Sequence, residues 1–412
     1  MDIQLQREVF IERLLLSTIY IFSLPFITHI YGGTITGLLF ENLYLAVSVL
    51  LFFSLLSFKS ISFRYFIYFA PILLVIVYSL FFPFGEYTVI NCLKYLAYFA
   101  IFFLVFRRLF NKEIMIDIYV ISMSLIFIYL FIFYIYAYFY PENLSDYRIY
   151  GSYLNQNNVF EKRTEWQYSI LGFFAVIPLN QPDSDLNIFG LPRMFGFSPE
   201  PGFYSVFLVP ALFLALSQKR LLSSIILFIA CLFSASALFY LILLLAITLY
   251  LIPRNLIANL YYLFIFIAFI LITNLDIFIN FLIGFNFGSG RGDTYYLILL
   301  ETIQALYSGD ANPEDAGNYS GVLKFYFDLG YLGLIGYVLF VGAFLRFVTL
   351  KGDIFLNLAY ISAVLFAVRS GEMVPPILLF IISLVLTKIE ALEDIEEKNL
   401  DFEKRIEGSY ES

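Results

Sequence analysis

The chain has 412 residues, of which 61% are hydrophobic, 20% aromatic and only 14% charged, with a mean hydropathy of +0.86. That composition leaves too little polar surface for a soluble globule and predicts an integral membrane protein. The net charge of -8 is mostly a tail property, because residues 390–412 carry nine of the 32 acids against three bases, Lys398, Lys404 and Arg405.

The other bases are dispersed, which argues against nucleic acid as a partner. Two cysteines, Cys92 and Cys231, and a single histidine, His29, supply neither a disulfide framework nor a metal-binding set.

A spanning helix needs roughly 20 apolar residues. Arg7 and Arg13 precede an apolar run that lacks a small-residue cleavage site, which predicts a retained first helix. Apolar runs bounded by charge or by Gly, Pro and Asn then predict spans near 14–31, 37–57, 65–83, 88–106, 114–139, 201–217, 221–233, 236–252, 256–275, 329–349, 354–370 and 373–388. Residues 221–252 could form one long tilted helix, but the polar break Ser234-Ala235-Ser236 favours two short ones. The expected fold class is all-α, a polytopic membrane protein of about twelve transmembrane helices. Residues 1–388 would form the membrane domain and 389–412 an acidic cytoplasmic tail. Leu392, Ile395, Phe402 and Ile406 recur there at helical intervals, which suits either a short amphipathic helix or a solvated end.

With the N-terminus inside, cytoplasmic segments collect 16 of the 24 bases, including Arg107, Arg108, Lys219, Arg220, Arg254 and Lys351. This is the bias that orients membrane helices. Six of the remaining eight fall in two long outer segments, 140–200 and 276–328. The first holds an apolar run, 168–179, too short to span, which should lie at the interface or re-enter. The second carries Gly288-Ser289-Gly290-Arg291-Gly292-Asp293 ahead of a helix-like run.

Arginine is the informative residue on the outer side, since its planar fork binds phosphate oxygens in pairs and stays charged when partly buried. Arg193 stands in a Gly/Pro-rich turn before a spanning run, with Glu200 close by. That is either an anion clamp or a surface turn with an ion pair. Arg291, between glycines at a helix start, suits an anion nest or an exposed loop in which Asp293 is an ordinary cap. Arg369 precedes Ser370-Gly371-Glu372, so it lines a cavity or snorkels to headgroups. Arg163 sits in the mixed-charge run 161–165 and is a secondary candidate. Glu41, inside the second span beside Asn42, needs a partner or a function.

Four motifs occur in order: Arg193, Gly196, Glu200 and Pro201 ahead of an apolar helix; the Ser234–Ser236 break; Ser289, Gly290 and Arg291; and Asn318-Tyr319 followed by Asp328, Gly330 and Gly333. Together they resemble the Wzy-type O-antigen polymerases and the related O-antigen ligases. The resemblance implies a GT-C-like glycosyltransferase of the bacterial inner membrane, with both termini cytoplasmic. It would act at the periplasmic face on undecaprenyl-diphosphate-linked oligosaccharide, in the bilayer, with no nucleotide sugar, metal or other cofactor. A polymerase moves the growing glycan onto a new lipid-linked repeat unit; a ligase moves it onto lipid A core. Ligases of this pattern carry a histidine just before the Asn-Tyr pair, where this chain has Gly317, so polymerase is the better reading.

By resemblance Arg193 and Arg291 are diphosphate-binding candidates, and by position Arg369 and Arg163 join them. The acceptor hydroxyl needs a base, and carboxylates are the type available: Glu200 first, then Asp328, Glu372 and Asp293. A chain-length regulator and a flippase are candidate partners. A lipid-linked oligosaccharide flippase is the competing class, although its cations should line a central cavity rather than outer loops.

Overall fold

The computed structural model describes residues 66–83, 88–99, 114–139, 167–170, 173–176, 194, 201–234, 236–253, 321–369, 378–379, 381–390 and 392–393, with isolated helical residues between 255 and 266. The predicted spans at 14–31 and 37–57, and most of 256–275, lie outside the described residues.

The described residues are helical apart from one small hairpin. In order come α1 (Phe66–Phe81), α2 (Thr88–Phe99), α3 (Ile114–Phe139), strands β1 (Gln167–Ile170) and β2 (Phe173–Val176), then α4 (Pro201–Ser217) and α5 (Leu221–Ser234). They are followed by α6 (Ala237–Leu251), α7 (Gly321–Lys351), α8 (Ile354–Arg369) and a helical segment at 381–390. Two differences from the sequence reading stand out. Within the apolar run after Gln167 lies an antiparallel hairpin, Gln167 opposite Val176 and Ile170 opposite Phe173, with β2 against α3, a local exception in an otherwise all-helical set of described residues. Among them, only Ile116–Tyr136 and Leu332–Lys351 are long and apolar enough to cross a membrane by length and composition; five other apolar helices are shorter.

The 221–252 stretch is two helices, as its polar break predicts. Ser236 is extended at φ -74°, ψ 127°. The α7 helix breaks inside itself at Gly330, where φ 67° and ψ -164° lie in a region open essentially to glycine alone.

Packing is antiparallel where the chain turns back. Phe69 of α1 meets Phe340 and Phe344 of α7 at ring separations of 5.0 and 5.9 Å, and Tyr68 meets Phe347 at 4.7 Å. Further along, Gly336 allows α7 to close on Val75, since a Cβ there would stand 2.9 Å from Val75 Cγ2. The α7–α8 hairpin is tied by Tyr360, which donates its hydroxyl to Val341 O at 2.7 Å. On α4, Pro210 offers no N–H to the preceding turn. The carbonyl of Phe207 there accepts from Tyr119 of α3 at 2.6 Å.

α3 is apolar all round. Tyr119, Met123, Phe127, Leu130 and Tyr134 are buried, while Ile121, Leu125, Ile128 and Ile132 are exposed on the other side. A helix in water normally carries a polar stripe on its outer face.

Several charged groups collect at one end of the bundle. Asp117 in the first turn of α3 pairs with Arg220 between α4 and α5. Asp353 caps α8 through Leu356 N at 2.7 Å and accepts from Ser217 Oγ, at the end of α4, at 2.7 Å. Lys351 pairs with Glu393 at 3.0 Å. Ile389 is fully buried and Leu392 packs on the core, so the acidic tail starts as part of the fold.

Candidate functional site

The opposite end is built around the break between α5 and α6. α5 runs beside α3 in the same direction: Arg220 and Asp117 join the starts of these helices, and Phe233 packs on Phe131 and Tyr134 at 5.0 and 5.9 Å near their ends. α4 lies antiparallel to α5, which brings Ser205 Oγ to 2.9 Å from Ser234 Oγ. Ser234 Oγ also lies 2.9 Å from Cys231 O, and either hydroxyl can be the donor between the two serines. Ser205, Ser234 and Ser236 are all buried.

One residue of the 140–200 segment is fixed to this break. Met194, itself buried, donates its N–H to Phe233 O at 2.9 Å, occupying one of the carbonyls that the end of α5 leaves without an intrahelical donor. Arg193 and Met194 are neighbours in sequence.

Helix directions bring two more elements to the same end. α8 starts beside the end of α4 at the Ser217–Asp353 contact and packs along α4. The two helices are 16 and 17 residues long, so Arg369 at the end of α8 is level with Pro201 at the start of α4. α7 runs against α8, with Tyr360 beside Val341 and Phe344, which carries Gly330 to that end as well.

Of the sequence candidates, Asp328 lies on α7 two residues before the Gly330 break, and Arg369 is the last residue of α8. Arg163, Arg193, Glu200, Arg291 and Glu372 lie outside the described residues, as do Asp293 and Glu41. What the structure brings together is the surroundings of several: Met194 beside Arg193, Pro201 beside Glu200, the serine break, Gly330 near Asp328, and the backbone of Arg369.

Sequence reading treated Ser234 and Ser236 as a punctuation mark between helices and missed that they are buried polar groups. The signal was available, since two serines in an apolar hairpin must be satisfied or used. The Ser236 hydroxyl has no hydrogen-bond partner among the described residues. No group of three or more His, Cys, Asp or Glu that could hold a metal occurs among them. Comparison with protein-family models, curated proteins and solved structures finds no match.

Proposed function

We propose that the protein is a membrane-embedded glycosyltransferase of the Wzy type, an O-antigen or related surface-polysaccharide polymerase. It transfers a growing glycan from undecaprenyl diphosphate onto a new lipid-linked repeat unit at the periplasmic face of the inner membrane. The observation that carries this reading is the convergence, at one end of an apolar bundle, of chain next to Arg193, Glu200 and Asp328 together with the end of α8 at Arg369. Covalent geometry alone keeps the Cα of residue 193 within about 3.8 Å of that of Met194. The opposite end carries Asp117, Arg220, Lys351, Asp353 and Glu393, most of them engaged with one another or with helix termini. On this reading that end is cytoplasmic, and the exposed apolar faces of α3, α5 and α6 meet lipid.

Departure of the lipid diphosphate develops negative charge. Arg193, Arg291 and Arg369, with Arg163 in support, would stabilise that charge more in the transition state than in the ground state. Glu200 would take the acceptor proton, with Asp328 and Glu372 as the next candidate carboxylates. No cofactor enters the reaction.

A charged hydrogen bond is worth about 1.5 to 3 kcal/mol, so loss of one arginine should slow transfer roughly 10- to 150-fold. Arg193→Ala and Arg291→Ala should abolish long glycan chains in a complemented null strain while protein level stays unchanged. A normal ladder of chain lengths on a gel would remove both residues from the mechanism. Glu200→Gln should stop polymerisation of lipid-linked repeats by the purified protein, and turnover at the wild-type rate would exclude it as the base.

A further inference from the structure

Ser236 occupies the N-cap position of α6, yet its hydroxyl makes no capping bond. The residue is 1% exposed, and its Oγ has no partner among the described residues. The backbone carbonyl of Ser236 accepts from Phe239 N at 2.9 Å and Tyr240 N at 3.4 Å, which starts the helix. The N–H groups of Ala237 and Leu238 come too early in α6 to find a carbonyl within it. A buried hydroxyl left unmatched costs free energy that water would otherwise repay. Serine at an N-cap has an obvious internal use, and here it is not taken. The unmatched hydroxyl, the early amides and the positive end of the helix dipole form a set suited to a phosphate oxygen. The Met194–Phe233 bond ties Met194 to a carbonyl three residues before Ser236.

We propose that Ser236 and the N-terminus of α6 form a phosphate-binding subsite that holds one phosphate of the lipid diphosphate. This rests on the polymerase reading, and it adds a ligand-contacting hydroxyl from the membrane hairpin to arginines supplied by the outer segments. Ser236 donates its proton to a phosphate oxygen and undergoes no covalent step. A phosphoryl anion of another origin, such as free pyrophosphate, has the same chemistry, so the test uses both.

Purified full-length protein in nanodiscs is titrated with undecaprenyl diphosphate and, separately, with inorganic pyrophosphate, for wild type, Ser236→Ala, Ser236→Thr and Arg193→Ala. Thermal unfolding without ligand is recorded in parallel. Ser236→Ala should weaken undecaprenyl diphosphate binding about tenfold or more, whereas Ser236→Thr, which keeps the hydroxyl, should bind close to wild type. Unliganded Ser236→Ala should melt no lower than wild type, because it removes an unmatched polar group; a functional hydroxyl and a merely structural one differ in this respect. Weakening toward both ligands assigns the subsite to phosphate itself, and weakening toward the lipid alone assigns it to the lipid-linked form. If Arg193→Ala loses binding while Ser236→Ala binds as wild type does, the subsite is wrong and the polymerase reading survives. If wild type binds neither ligand, both fall together.

Discussion

Lys219 holds a conformation that its side chain disfavours. At φ 57° it is the left-handed residue of a helix-ending motif, with Arg220 N bonded to Ala215 O at 2.9 Å and Lys219 N to Leu216 O at 3.0 Å. A left-handed non-glycine residue costs roughly 1–2 kcal/mol, and glycine gives back part of that gain as extra freedom in the unfolded chain. Lys219→Gly should therefore raise the thermal midpoint in detergent, by up to about 1 kcal/mol of stability. A lower midpoint would mean that the lysine charge matters more than its backbone. Asp353 is the reverse case, because it caps α8 and accepts from Ser217. Asp353→Ala should cost about 1–2 kcal/mol, measured by the same unfolding, while Asp353→Asn should retain most of the stability. At this scale the sequence was only partly legible. Gly330 stood out as a motif glycine, but the reason for it, a φ of 67° that breaks α7, is a backbone fact that residue identity only permits. Nothing in the spacing around Lys219 announced a left-handed lysine.

Helix positions were the most readable part of the chain because apolar runs and their polar boundaries act locally. The expected 114–139 and 201–217 coincide with α3 and α4, and the Ser234–Ser236 break divides α5 from α6. The hairpin at 167–176 was missed because the run was judged by apolar length. Its middle pair, Leu171-Gly172, stands between two aromatic-containing halves, the spacing of a two-residue hairpin loop. What no local pattern reveals is which helices touch. Gly336 is one glycine among several in 330–342, and only the fold shows that it lets α7 approach Val75 and Pro71 of α1. Gly336→Ala would set a Cβ 2.9 Å from Cγ2 of Val75, a β-branched side chain with little rotamer freedom in a helix, so α1 must give slightly, whereas Gly336→Leu would force the two helices apart. The leucine variant should lose folded protein in detergent, by a cost of roughly 1–3 kcal/mol typical of overpacking, and the alanine variant much less. Equal yields and midpoints for both would mean that α1 and α7 are not this close.

The molecule as a whole has two chemically unlike ends separated by apolar helices. About 16 residues of α4 between Pro201 and Ser217 rise roughly 24 Å at 1.5 Å per residue, somewhat less than a hydrocarbon core of about 30 Å, so the polar groups at each end would sit near its two interfaces. The acids and bases at the Ser217 end are mutually engaged, while the Met194 end offers buried serines and the starts of segments rich in candidate arginines. This asymmetry makes the orientation expected from the distribution of bases testable without reference to activity. Cys92 and Cys231 are both buried, so the native thiols give a low background. Asp185→Cys, in the 140–200 segment that leads to Met194, should react with a membrane-impermeant maleimide in intact spheroplasts. Lys219→Cys, at the exposed turn between α4 and α5, should react only after permeabilisation. Labelling of both positions from the same side would put Arg193 and the Lys219–Arg220 turn in one compartment. A polymerase drawing lipid-linked substrate at the periplasmic face is incompatible with that result, whatever the glycan ladder shows.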